Sequence, residues 1–298
     1  MKSFDYFAPT TIREAVDILA KYPDAKVLAG GTDLLVHMKL RVRTPDVILD
    51  VGRLSGADAL TIDRKRGLTI GPAVTMRQVE LSQAAWKTYA GFAQGASVVG
   101  SIQIRNLATV VGNVCNAAPS ADVAPGLIAL GAKVRIAGPK GRRSMQVENF
   151  MTGPGQTALQ QGEFVTGIQV PVPAARTGSA FVRHTPRGAM DIAVVGVGAS
   201  VTLAARTGAC QAARIVMGAV APTPIRAKKA ERMLRGQRLS EELIAKAAEV
   251  ASGEARPISD VRASADFRRE LVRVLTKRMV TAAWEDAMSK TRSKRRAA

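Results

Sequence analysis

At 298 residues the chain is long enough for two ordinary domains, and with 47% hydrophobic residues it is not a globally disordered protein. Its net charge of +19 invites a nucleic-acid reading, yet aromatics make up only 4% and leave few stacking platforms. There is no zinc-finger spacing, RNA-binding signature or clear helix-turn-helix, so a basic surface that meets acidic partner subunits is the plainer reading. No apolar run is long enough for a membrane span, no signal-peptide core opens the chain, and Cys115 and Cys210 make no disulfide framework; a cytoplasmic location is expected.

In chain order, Thr10 or Thr11 caps a first helix, with Glu14 placed for a capping box and Ala15, Ile18 and Leu19 on one face. Lys26 to Ala29 reads as a strand that feeds the Gly30-Gly31 turn, and Asp33 to Val36 starts a short helix. Asp46 to Val51 is a strand, and Leu60 to Asp63 and Leu68 to Gly71 form a hairpin. Helical sequence runs from Thr75 towards Ala96. A second glycine-bearing loop spans Ala108 to Asn113, and Asp122 is placed to cap a helix from Val123 to Leu130. Strands follow at 133–136 and 164–170, and the turn-rich segment Pro171 to Gly178 is the best boundary. Beyond it, strands near 179–183, 193–204 and 209–218 precede helices near 225–234, 241–251 and 265–288. Strands first and helices afterwards predict an α+β unit with helices on one sheet face. The basic residues from 289 to 298 are expected to be a disordered tail.

The chain is poor in catalytic groups. His37 and His184 have no metal-ligand spacing, and there is no CxxC, no G-x-S-x-G elbow and no Walker A sequence. The Gly196-Val197-Gly198 run lies inside β-like sequence and is no Rossmann fingerprint. His37 reads as a half-buried helix residue and Cys115 as a small packed one. The two glycine-bearing loops remain. Glycine reaches positive φ and lets successive N–H groups converge on anionic oxygen, and two such loops suit a ligand with two linked phosphates. Taken singly, each is a tight turn, a hairpin turn or a helix cap. The bound ligand is expected to supply the hard chemistry.

These loops, with Ser101 to Asn106 ahead of the second, resemble the flavin-binding subunit of the molybdenum hydroxylases. The resemblance begins at Phe4 to Thr10, passes through Val27 to Asp33, Ile104 to Asp122 and Asp191 to Val195, and ends at Ser264 to Arg269. It implies an α+β fold: an FAD-binding domain of the vanillyl-alcohol-oxidase (PCMH) type over residues 1–175, in lobes of about 1–55 and 56–175. A C-terminal α+β domain with helices on an antiparallel sheet follows over 178–288. It implies noncovalent FAD, with no catalytic residue and no metal on this chain. A large molybdopterin subunit and a small subunit with 2Fe–2S clusters are the implied partners, in a dimer of heterotrimers. Electrons would pass one at a time from a cluster to the flavin and on to an external acceptor.

Carried over residue by residue, Ala29, Gly30, Gly31, Thr32 and Asp33 would wrap the pyrophosphate, flanked by Lys26, Val27 and Leu28. Thr109, Val110, Val111, Gly112 and Asn113 would contact it from the other side, and Asp122 would accept hydrogen bonds from FAD hydroxyls. Val165 and the Arg183-His184 segment, with His184 as its ligand residue, would lie near the flavin ring. Val111 stands where relatives often have a glycine. The chain lacks the cysteine-rich insertion of members that reduce benzoyl-type thioesters, which argues against that branch. A free-standing FAD oxidase of the same fold and a basic nucleic-acid-binding protein are the competing readings.

Overall fold

The computed structural model describes residues 1–296, with side chains through residue 290. The first lobe comprises β1 (Asp5–Phe7), α1 (Ile12–Lys21), β2 (Lys26–Leu28), α2 (Leu34–Lys39) and β3 (Val47–Asp50), its strands parallel in the order β1-β3-β2. Thr11 caps α1, its Oγ1 accepting the Glu14 N–H at 3.2 Å, while Glu14 accepts from the Thr10 N–H at 3.0 Å. The reciprocal bond of the expected capping box therefore lands one residue earlier than in the ideal motif. Ala15 and Leu19 then sit buried against Leu49 and Val51, and the same cluster takes in Ala137 and Phe164 of the neighbouring sheet.

The second lobe opens with the predicted hairpin, β4 (Leu60–Asp63) and β5 (Gly67–Ile70). The helical stretch expected to run from Thr75 to Ala96 is three helices instead: α3 (Met76–Leu81), α4 (Gln83–Thr88) and α5 (Ala90–Ser97). Ser82 leaves the helical region and caps α4, accepting the Ala85 N–H at 3.2 Å, and Tyr89 breaks the chain again. Next come α6 (Ile102–Leu107), α7 (Val110–Asn116), α8 (Val123–Ala129), β6 (Lys133–Gly138), β7 (Gly141–Gln146), α9 (Val147–Phe150), β8 (Met151–Gly153), β9 (Gln156–Thr157) and β10 (Phe164–Val170). The antiparallel sheet β4-β5-β10-β6-β7 covers a core that includes Phe92, Leu127, Ile136 and Ile168.

The remainder is β11 (Thr177–His184), β12 (Val195–Leu203), β13 (Cys210–Gly218), β14 (Ile225–Arg226), α10 (Lys228–Leu234), α11 (Glu241–Glu254) and α12 (Ala265–Arg296). The four strands form an antiparallel sheet in sequence order. Along β12, Val195, Val197, Ala199, Val201 and Leu203 alternate towards the core built with α10, α11 and α12. The opposite face is also covered, by α5 and α8 of the second lobe. Glycines make that contact close: a Cβ on Gly198 would stand 2.8 Å from the Pro125 carbonyl carbon and oxygen, and one on Gly91 would stand 3.1 Å from the Ala180 backbone of β11. Polar ties fix it. Ser200 Oγ donates to the Ala129 carbonyl at 2.7 Å, Gly91 N–H donates to Ser179 Oγ at 3.1 Å, and Phe181 N–H donates to Gln94 Oε1 at 2.7 Å. The Gly-x-Gly run thus serves helix-on-sheet packing.

α12 outlasts its expected end at Met288. The segment from 289, expected as a disordered tail, continues the helix to Arg296; residues 297–298 lie outside the described residues. Lys290 Nζ is anchored, donating to Asp286 at 2.7 Å and to the Thr177 carbonyl at 3.1 Å.

Gly198→Ala is expected to destabilise the protein by about 1–3 kcal/mol, because the added methyl overpacks the α8–β12 contact. Gly253→Ala, in α11 where an added Cβ meets open space, is expected to leave stability unchanged or raise it by up to about 0.5 kcal/mol. Thermal melts of both variants check the contrast.

Candidate functional site

A cleft of roughly 510 Å³ lies between the first and second lobes, beside the loop that joins β11 to β12, and the turn after β2 forms one wall. Gly31 has φ +71°, a left-handed conformation that favours glycine, and a Cβ there would stand 2.8 Å from Leu35 Cδ1. Gly30 is glycine for another reason: any Cβ would overlap the Leu107 carbonyl oxygen at the end of α6. The backbone N–H groups of Gly30, Gly31, Thr32 and Asp33 make no hydrogen bond to a described residue. They stand just ahead of α2, whose positive end adds to the field there.

The opposite wall is the start of α7. The segment expected as a second glycine loop is a helix N-terminus, and Gly112-Asn113 is no hairpin turn. Thr109 is the cap, its Oγ1 accepting the Gly112 N–H at 3.0 Å, and a Cβ at 112 would stand 2.7 Å from that hydroxyl. Entry to the helix is held from outside: Met76 N–H donates to the Ala108 carbonyl at 2.8 Å and Val110 N–H to the Val74 carbonyl at 3.0 Å. Below, Arg105 grips Glu80 with two hydrogen bonds of 2.8 and 3.1 Å, fastening α6 to α3. Val111, in the place of a family glycine, is helical with negative φ, so valine fits without strain. Its N–H, like those across the cleft, has no acceptor among the described residues.

Most of the residues expected at the site line this cleft: Lys26, Val27, Leu28, Ala29, Gly30, Gly31, Thr32, Asp33, Thr109, Val111, Gly112, Asn113, Asp122 and Val165. Two do not. Val110 is fully buried in the core behind α7. His184 sits on the face of β11 that packs against α12, its ring edge-on to Phe267 at 6.0 Å. Side chains alternate along a strand, so Arg183 points the other way and reaches Asp122. Sequence reasoning did not assign Leu34, Arg43, Phe164 or Ile192 to the site, although all four line it. The nearest sequence signal was the Asp191-Ile192-Ala193 stretch, which marks the segment without giving a role. His37 and Cys115, read as ordinary packed residues, also line the cleft; burial pushes the Cys115 thiol up to about 12, so it stays protonated.

Asp122 departs from the expected helix cap. It precedes α8 but makes no capping hydrogen bond, because its own backbone is already helical. Its Oδ2 accepts instead from Arg183 at 2.6 Å, and both side chains are nearly buried. Asp122 Oδ1 and Asn113 Oδ1 are buried without a partner. Two orphaned acceptors and a row of unpaired N–H groups around one cleft fit a ligand that carries both hydroxyls and anionic oxygens. Among the described residues, no group of three or more His, Cys, Asp or Glu is placed to hold a metal ion, and no helix is long and apolar enough to cross a membrane.

Comparison with known proteins defines the class. Residues 2–173 match the FAD binding domain in molybdopterin dehydrogenase, and residues 180–283 match the CO dehydrogenase flavoprotein C-terminal domain. The chain therefore belongs to the FAD-binding medium subunits of the molybdenum hydroxylase family, which are oxidoreductase components. It is 33% identical to the xanthine dehydrogenase FAD-binding subunit of Escherichia coli O157:H7 over 93% of this chain and 95% of that protein. It is 31% identical to the carbon monoxide dehydrogenase medium chain of Hydrogenophaga pseudoflava over 94% and 97%. The solved carbon monoxide dehydrogenase from that organism superposes with a TM-score of 0.89 at 30% identity, covering 95% of this chain and 98% of the solved one. Quinoline 2-oxidoreductase from Pseudomonas putida 86 gives 0.87 at 30% identity, covering 96% and 98%.

Burial pushes the Asp122 carboxyl up to about 7, and Arg183 pulls it only part of the way back. Between the unfolded pKa near ~3.9 and about 7, the folded state holds a proton that the unfolded state has lost. The contribution of Asp122 to stability is therefore largest in acid and falls as pH rises to about 7, above which it is level. Melts of cofactor-free wild type and Asp122→Asn from pH 4 to pH 8 are expected to show this loss in wild type only.

Proposed function

We propose that the cleft holds FAD noncovalently and that the chain works as the electron-transfer subunit of a molybdenum hydroxylase. The observation that carries this reading is the unsatisfied polar lining: the free N–H groups of Gly30 to Asp33 and of Val111, with the orphaned Oδ1 atoms of Asn113 and Asp122. The N–H groups suit the pyrophosphate, held between the α2 and α7 ends. Asp122, pushed up to about 7, is roughly half ionised near neutral pH and anionic above it, and belongs on hydroxyls, away from phosphate; Arg183 holds one of its oxygens and leaves the other without a partner. Val165 and Ile192 supply apolar wall for the ring system. FAD held there would supply the redox chemistry, electron transfer between 2Fe–2S clusters on a small partner chain and an external acceptor.

A large molybdopterin chain, in this reading, binds the substrate, and the assembly is a dimer of heterotrimers. The division into domains 1–175 and 178–288 belongs to the same proposal, supported by family matches that end at 173 and resume at 180. The relatives are named for substrates as different as xanthine, carbon monoxide and nicotinate at similar identity, so substrate choice is assigned to the partner chain.

The purified chain is expected to be yellow, with colour released to the supernatant on acid precipitation. Gly31→Val is expected to abolish FAD binding, through backbone strain at positive φ and collision with Leu35. Asn113→Ala and Asp122→Asn are expected to weaken FAD by at least about tenfold each, or ~1.4 kcal/mol, in titrations of the apo proteins. Unchanged affinity in both would remove these side chains from the site. Flavin retained in the acid pellet would refute noncovalent binding.

A further inference from the structure

Beside the cleft, two loops are joined into one platform. The first links β11 to β12 and is closed at its base by Val194 N–H, which donates to the His184 carbonyl at 2.9 Å; it carries Asp191 and Ile192 into the cleft wall. The second links α11 to α12 and is folded on itself. Asp260 Oδ1 accepts from the N–H groups of Arg262 and Ala263 at 2.9 and 3.2 Å, and Ala265 N–H donates to Ser259 Oγ at 2.8 Å. Two contacts join the loops. Phe267 meets the His184 ring, and the buried Arg268 guanidinium donates to the Val194 carbonyl at 2.5 Å and to Asp260 Oδ1 at 2.8 Å.

This platform presents Met190, Ile192, Ile258, Val261 and Phe267 to solvent, with Val261 100% exposed. Single exposed apolar side chains are ordinary, but four on two joined and internally braced loops, with Phe267 at the start of α12 beside them, form the kind of patch that a partner covers. The bracing also means that little ordering is left for binding to impose. The charges point to the partner's sign. Arg187, Arg256, Arg262 and Arg269 are exposed here against Asp191, Asp260 and Asp266, and each of these aspartates is already engaged by an arginine, Asp260 by the buried Arg268 as well as by Arg262. The surplus is positive, and the chain as a whole carries +19, so a second copy of this chain is repelled.

We propose that this platform is the docking face for a partner polypeptide with an acidic surface and an apolar centre. The proposal rests on the reading that the chain works within a multi-chain complex. Because Ile192 belongs both to the platform and to the cleft wall, the partner sits at the mouth of the FAD site.

The test uses a tagged full-length chain co-expressed with its genomic neighbours. Val261→Asp is expected to keep wild-type flavin content and melting temperature while recovery of a partner chain falls by at least about tenfold. Arg256→Glu, which leaves the apolar residues intact, is expected to lower recovery in the same direction and to steepen its loss with salt. Leu81→Asp, at an exposed apolar position away from the platform, is expected to change nothing. If wild type brings down its partners and both platform variants do so equally well, the docking face is wrong while the function stands. If wild type brings down none, both readings fall. If the free wild-type chain binds phosphatidylserine vesicles and Val261→Asp abolishes that binding, the platform meets a membrane and the proposal is overturned.

Discussion

The approach of Gly30 to the Leu107 carbonyl sets the geometry on which the rest depends. No side chain larger than hydrogen fits there, so the turn after β2 lies directly on the end of α6. That contact brings the first lobe against the second and leaves two helix starts, those of α2 and α7, facing one cleft. The unpaired N–H groups then follow from ordinary helix geometry, since the first turn of a helix always has donors to spare. A cleft built in this way attracts anionic oxygen without needing a cationic side chain at its centre.

The same device recurs where the C-terminal sheet meets the second lobe. Gly91, Gly126 and Gly198 bring α5, α8 and β12 into backbone contact, and the sheet ends up with helices on both faces. This packing gives the Asp122–Arg183 pair its setting. One partner precedes α8 and the other lies on β11, so the pair spans the joint between the C-terminal sheet and the second lobe. A buried ion pair adds little net stability, because desolvation offsets its attraction. Its consequence lies elsewhere. One carboxylate oxygen is held and oriented, the other is buried without a partner, and the carboxyl is pushed into the physiological pH range.

What could be read locally was read well. The Thr11 cap, the strand–glycine–helix unit at 26–39, the hairpin at 60–70 and the alternation along β12 rest on interactions within a few residues, and all are present. The breaks at Ser82 and Tyr89 are not legible in the sequence, because helical spacing continues across them while the backbone leaves the helix, at Ser82 to cap a new one. The second glycine segment reads as a loop in sequence but is a helix start, because a helix starting at a Thr cap with glycine at its third position carries the same residues as a turn.

The sequence by itself determined which backbone stretches carry the site, since positive φ, capping and small residues are local requirements written in residue type. It also carried enough family pattern to identify the class of protein. Only the tertiary structure decided which side chains enter the cleft. Arg183 and His184 are neighbours in sequence, yet the two-residue period of a strand sends one to Asp122 and the other to Phe267. Val110 and Val111 are parted in the same way by the turn of a helix. Orientation, burial and charge state depend on what packs from distant parts of the chain, and no local pattern contains that.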